Sequence, residues 1–342
     1  MFSRRSFIKA GAVTGALMPF AGVMAAGHLS SKKSSAEGPN NNTSPANAKE
    51  SGLAGTASGK KSSGRFDINF FTKDLDGFEA SFMMECLAMA GADGLDLVVR
   101  NGGRVEPSRV VDDLPELVSL GKKHKLPTGM IVTGITSAKD KETHDVLKTA
   151  SALGIKHYRL GYYRYDLEAG IINTLNNIKT ELKDLSDMNR QFNIQAGYQN
   201  HSGGMVGTPG WDVWEIIKNF PVETISSQFD VRHATVGGPN SWRFIMHLLG
   251  KNIGSLAVKD FTWHIENGKA NVVNVPLGEG IVDFDLYFKT IRELQIDVPF
   301  TLHVEYPLFS SREEGLTQGE KQKIIVGKIK KDIDFIRKYE NA

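Results

Sequence analysis

The amino-acid sequence predicts a single (β/α)8 barrel, on three observations. Eight strand-like runs alternate with eight helical runs, repeating roughly every 30 residues. Within the strands, apolar residues hold one phase of the period-two alternation, as packing against an outer ring of helices requires. No glycine-rich phosphate loop follows the first strand, which argues against a doubly wound open sheet.

The strands are expected at residues 66–71, 94–100, 128–133, 157–161, 194–199, 224–230, 255–259 and 300–305. The helices are expected between them at 77–90, 107–124, 141–153, 169–192, 211–220, 241–249, 284–294 and 319–339. Taken in order, the first strand turns Asn69 inward, the second Asp96 and Arg100, and the fourth Arg159. The fifth turns Gln199 inward and is followed by His201, the sixth carries Gln228 and Asp230, and the seventh Lys259. The eighth puts Leu302, Val304 and Tyr306 on one face and Thr301, His303 and Glu305 on the other. A carboxylate turned into a barrel is costly unless a cation or hydrogen-bond donors compensate it. Polar residues on at least six strands, gathered near their C-terminal ends, therefore predict a polar pocket where barrels of this class carry their active sites.

Ahead of the barrel, Ser3-Arg4-Arg5-Ser6-Phe7-Ile8-Lys9 precedes an apolar run over residues 10–26 that ends in small residues. This reads as a twin-arginine export signal over 1–26, cleaved after Ala25 or Ala26. The expected partner is the twin-arginine export machinery, and the expected location is the periplasm or another exported site. Gly11, Gly15, Pro19 and Gly22 make the run a poor spanning helix, so no stable membrane anchor is expected. Residues 27–64 are small and polar and read as a disordered linker; 65–342 form the catalytic barrel. The first 64 residues carry a formal charge of +6 against +2 for the whole chain, so the barrel itself is acidic. A nucleic-acid partner is not expected on that balance. Cys86 is the only cysteine, which excludes an internal disulfide.

Several stretches at strand ends carry candidate chemistry. Asp230 and His233 stand three apart where the sixth strand ends, either a metal-binding Asp with a substrate-facing His or an ordinary cap with a surface His. Lys259 stands at the pocket mouth, to neutralise an enolate or to form a salt bridge with Glu305 or Asp230. Asn200-His201-Ser202-Gly203-Gly204 ends the fifth strand in a glycine turn that carries His201 over the site. Arg159, Arg164 and Tyr165, with two further tyrosines between, suit a polyhydroxylated or anionic ligand. Arg100 opens a glycine-rich cationic loop. Residues 262–280 form an excursion in which Asn267-Gly268 reads as a two-residue hairpin turn, with Trp263 as a lid residue.

Together these residues resemble the sugar phosphate isomerase/epimerase superfamily, whose barrel is xylose isomerase-like. The resemblance rests on Gly94-Leu95-Asp96-Leu97, Asn200-His201, Asp230 with His233-Ala234, Val258-Lys259-Asp260, Pro276-Leu277-Gly278-Glu279-Gly280 and Glu305. It covers residues 66–339. It implies one divalent metal (Mn, Mg or Zn) held by Glu, Asp, His and Glu from strands five to eight, with the two Glu residues moving a proton between adjacent carbons of a ketose. By position Asp230 matches the Asp, Glu305 the last Glu, and His233 a substrate-binding His. The strand-five acid falls on Gln199, whose amide oxygen is a ligand for a hard cation but not a base near neutral pH. The strand-seven His falls on Ala257, which offers no ligand; His201 and His303 are the alternatives.

The expected function is that of a sugar isomerase or epimerase-like enzyme working through a carbanion or enolate on a small carbohydrate. Glu305, Lys259, His201 and His233 are the expected catalytic groups. Arg100, Arg159, Arg164, Tyr165, Asn200, Trp263 and His303 are the expected substrate-binding groups, with Asp230, Glu305 and Gln199 as metal ligands. Two alternatives stay open: a lyase acting by β-elimination on an oxidised sugar or glycoside, and a non-catalytic sugar-binding protein on the same fold.

Overall fold

The computed structural model describes residues 65–309 and 315–340. The expected export signal and linker lie outside the described residues. Eight parallel strands close into a barrel: β1 (Ile68–Phe71), β2 (Gly94–Val99), β3 (Thr128–Thr133), β4 (His157–Arg159), β5 (Gln195–Gln199), β6 (Ile225–Asp230), β7 (Ile253–Val258) and, after a two-stranded insertion, β10 (Phe300–Leu302). The insertion is the expected hairpin, β8 (Asp260–Glu266) paired antiparallel with β9 (Lys269–Val275). Asn267 and Gly268 both take positive φ (52° and 73°), the backbone that a two-residue hairpin turn needs.

Helices α1 (Ala80–Ala90), α2 (Val110–Lys123), α3 (Thr143–Ala152), α4 (Ile171–Phe192), α5 (Trp211–Ile217), α7 (Trp242–Leu249), α8 (Phe284–Glu293) and α9 (Gln318–Arg337) follow the expected alternation. Helix α5 stops three residues short of the expected 220. Phe220 precedes Pro221, and the residue before a proline is driven out of the helical region. One helix was not expected: α6 (Val231–Gly237) starts on the last residue of β6, with Asp230 as its N-cap accepting the His233 N–H at 2.9 Å. That places Arg232 and His233 on a buried first turn at the barrel mouth. Among the described residues no helix is long and apolar enough to cross a membrane.

The outward phase is apolar as expected. Leu95, Leu97, Leu160, Phe229, Leu256, Val258, Leu302 and Val304 are all buried, and each such side chain stabilises the fold by about 1.5–3 kcal/mol. The barrel floor is made by Asn69, whose amide occupies space left by Gly94 and Gly129; a Cβ at either glycine would run into it. Above it Thr301 Oγ1 donates to Asp96 Oδ2 across the interior at 2.7 Å. The last strand is shorter than expected, ending at Leu302 in place of Glu305. Its neighbours have turned away by then: β1 passes into a 3-10 turn at Thr72 and β7 into the hairpin. His303 keeps one last bond, donating its N–H to Val258 O at 3.0 Å, and Glu305 stands beyond it, free to face the mouth.

Candidate active site

The centre of the mouth is an ammonium held between two carboxylates. Lys259 Nζ, on a residue only 3% exposed, lies 3.3 Å from Asp230 Oδ2 and 3.2 Å from Glu305 Oε2. The strand ends of β6, β7 and β10 bring the three together. Burial pushes the Glu305 carboxyl up, but His303 and the Lys259 ammonium outweigh it and hold the group well below the ordinary carboxylate range. His303 is buried, stacks on Phe71 at 4.3 Å between centroids, and has its nearest polar contact 3.6 Å away at Glu305 Oε1, a long interaction that still favours the charged carboxylate. Neither of its ring nitrogens has a closer partner. Burial lowers its basicity, so the ring is neutral near pH 7.

Two further imidazoles stack beside this centre, His201 and His233, with ring centroids 3.9 Å apart. Their partners assign their tautomers. His233 Nδ1 accepts from Arg232 Nη1 at 3.0 Å and from Ser202 N at 3.2 Å, which leaves the proton on Nε2. That N–H has no hydrogen-bond partner and lies 3.8 Å from Asp230 Oδ2. His201 Nδ1 donates to Ser202 O at 2.8 Å, which leaves Nε2 as a lone pair. Burial lowers both, and His233 the more strongly because Lys259, His201 and Arg232 add to it. The mouth thus offers one imidazole donor and one imidazole acceptor, both uncharged.

The donor set does not fit the divalent ion that the resemblance implies. Gln199 Oε1 accepts from Arg159 Nη1 at 2.9 Å and from the Tyr162 hydroxyl, while its Nε2 donates to Asp230 Oδ2 at 2.7 Å. Arg159 has only protons to give, so the amide oxygen must face it and the amide orientation is forced. Gln199 therefore turns an N–H toward the centre, and its expectation as a metal ligand is corrected. Ala257 leaves the β7 position empty, and Lys259 takes the space between the two remaining acids. Among the described residues no three His, Cys, Asp or Glu side chains converge as a metal site.

A family model described as a xylose isomerase-like TIM barrel matches residues 84–339. The chain belongs to this family. No protein of the curated set matches it by sequence. Among solved structures it is similar to the D-allulose 3-epimerase of Methylomonas sp. in complex with D-allulose, with a TM-score of 0.60, 13% identity, and coverage of 80% of this chain and 97% of that one. The 3-keto-D-glucoside 4-epimerase of E. coli gives a TM-score of 0.55 at 11% identity, over 77% of this chain and 98% of that one. A xylose isomerase-like barrel from Mycobacterium smegmatis in complex with magnesium gives 0.55 at 13%, over 78% and 98%. At these identities the likeness carries the fold.

Elsewhere in this xylose isomerase-like barrel the expected binding residues divide into two groups. Arg159 is buried over the Tyr162 ring, and half-buried Arg100 lines a cavity of about 460 Å3 with Asn101, Gly134 and Lys141. Arg164 and Tyr165 do not join them. Beyond β4 the chain leaves the pleat, and Tyr165 turns outward to bond Asp212 at the start of α5 while Arg164 is exposed. Asn200 takes a positioning place in this structure. Its amide is committed at both ends to the Asp230 backbone, accepting from N at 2.8 Å and donating to O at 2.9 Å. Trp263 is 40% exposed on the hairpin and packs edge-on against Phe261.

Three residues escaped the sequence reading. Asn274 on β9 ties the hairpin down, donating to Glu305 O at 3.3 Å and accepting from Arg232 Nη2 at 2.6 Å. Asp260 accepts four backbone N–H groups, from Phe261, Gly278, Gly280 and Val282. The glycine-rich stretch over residues 276–280 wraps its carboxylate, and that run beside Val258-Lys259-Asp260 was the available signal. Asp74, on the 3-10 turn after β1, shares a cavity of about 340 Å3 with Glu305, Phe78 and Phe309. Burial pushes its carboxyl up to about 6.

Proposed function

We propose that this barrel is an exported carbohydrate enzyme of the isomerase and epimerase class, acting through an enolate next to a sugar carbonyl. The observation that carries the proposal is the Glu305–Lys259 pair, an acid kept ionised and a cation beside it, framed by the unpartnered N–H of His233. A substrate carbonyl oxygen draws Lys259 toward itself and away from Glu305, which makes the carboxylate more basic as the substrate arrives. Glu305 then takes the proton from the adjacent carbon. The C–H electron pair becomes the C=C of the enolate, and the negative charge moves onto the oxygen facing Lys259 and the His233 N–H. Glu305 handing the proton to the neighbouring carbon of the enediol gives an isomer, and a proton delivered from solvent to the opposite face of the original carbon, with Glu305 losing its own to solvent, gives an epimer.

Only one carboxylate serves as the base, because Gln199 holds the place of the second. This favours one-base chemistry, and it keeps β-elimination from an oxidised sugar or glycoside as the second reading. The names of the similar structures, epimerases of a ketose and of a 3-keto-glucoside, support a small carbonyl sugar as the substrate class. The metal expected from the resemblance is not needed in this scheme.

The test is proton exchange. Ketohexoses and 3-keto-glucosides incubated with the protein in D2O are expected to gain deuterium next to the carbonyl, read by NMR. Ligand-induced melting shifts without exchange from any of them would instead make the protein a sugar binder. Export is proposed on Arg4-Arg5 and the apolar run that follows. Replacing both arginines by lysine should retain the precursor in the cytoplasmic fraction, and unchanged export would remove the twin-arginine assignment.

A further inference from the structure

We infer that Lys259 is the resident cation of this site, holding the place between Asp230 and Glu305 that a divalent ion would take, so that the protein works without a metal in a fold whose relatives include a magnesium-bearing structure. The inference deepens the proposed function and rests on it for its catalytic meaning, but its physical content is a binding property. Four observations converge. The ammonium is almost completely buried and lies at nearly equal distance, 3.3 and 3.2 Å, from the two acids that the family resemblance marks as ligands. Gln199 has its oxygen turned away onto Arg159 and Tyr162 and presents an N–H. Ala257 supplies no donor atom. His233, bonded through Nδ1 to Arg232 and Ser202, likewise presents an N–H.

The centre is therefore lined by N–H donors from Gln199 and His233 beside the ammonium, which leaves the two carboxylates and the uncharged rings of His201 and His303 as the remaining lone pairs, a poor match to the oxygen shell that a hard cation requires. Hard cations need oxygens at 2.0–2.6 Å, and one placed here would also meet the ammonium, so repulsion from a fixed positive charge opposes its entry. The two acids stay close together because Lys259 neutralises them. Take away that charge, and buried Asp230 and half-buried Glu305 face the same space with nothing between. The same pair that rejected a divalent ion then attracts one.

Mn2+ alone, added to the purified full chain and followed by electron paramagnetic resonance of the free ion, tests this directly. The wild-type protein is expected to bind no Mn2+ at this site, and its melting temperature to be unchanged by EDTA. Lys259→Gln is expected to bind one Mn2+ per chain at least roughly tenfold more tightly than wild type, and adding Asp230→Asn to abolish the gain. Lys259→Arg, which keeps the charge, should stay without Mn2+. A wild-type chain that binds one Mn2+ and loses it on Asp230→Asn overturns the inference, as does a folded Lys259→Gln protein that gains nothing. If Lys259→Gln does not fold, the wild-type chain decides, since a melting temperature that falls in EDTA and recovers with Mn2+ overturns it equally. None of these measurements reads turnover, so they separate failure of this inference from failure of the proposed reaction.

Discussion

Glu305→Gln is expected to lower turnover by roughly 10²–10⁴-fold, the range that one acid–base group contributes, while ligand binding and the barrel survive. The amide keeps the shape of the side chain, and Lys259 keeps Asp230 as its counter-ion. The side chain is 21% exposed, so the lost ion pair should cost about 1–2 kcal/mol. The pH dependence has a definite sign. Glu305 is held below its ordinary value of 4.5, so the stability it gives is present above that pH and is lost as the pH falls below it. The gap in melting temperature between wild type and variant should therefore be widest near neutrality and close on acidification. A steady-state assay and ligand-shifted melting curves check both halves. Turnover retained in the variant would remove Glu305 as the base.

Asp260→Ala is expected to destabilise the fold by about 3–5 kcal/mol, since each buried N–H stripped of its acceptor costs about 1–3 kcal/mol and neighbouring losses do not add fully. Four such groups converge on this one carboxylate, from the second residue of the hairpin to the residues just ahead of α8. A Cβ at Gly280 would run into the same carboxylate, so the chain has been drawn in around it. In a domain of this size the loss corresponds to a melting temperature lower by roughly 10 °C. A variant that melts within 2 °C or so of wild type would show that the wrap is held by other contacts.

The barrel was legible because its signals are local. The residues read as inward, Asn69, Asp96, Arg159, Gln199, Gln228, Asp230, Lys259 and His303, are all buried despite their polarity. Legibility failed where the chain leaves the pleat. Arg164 and Tyr165 follow β4 after its ladder ends at Arg159, and past that point period two no longer says where a side chain points. Helix α6 is seven residues long and closes on Gly237, too short to show a helical period. For Asp230 and His233 only the cap was met as expected: the carboxylate caps the helix through Oδ1 and meets Lys259 through Oδ2, but His233 is buried and not at the surface. The orientation of Gln199 was beyond the sequence, because Arg159 and Tyr162 impose it from β4 and the loop that follows.

The hairpin and the imidazoles are interlocked through a single guanidinium. Arg232 reaches Asn274 on β9 with one nitrogen and His233 Nδ1 with another, and Asn274 in turn holds the Glu305 carbonyl. A hairpin that lifts to admit a ligand unlatches Asn274 from both Arg232 and Glu305. Arg232 is then free to swing, while the Ser202 N–H still holds His233 Nδ1 as an acceptor.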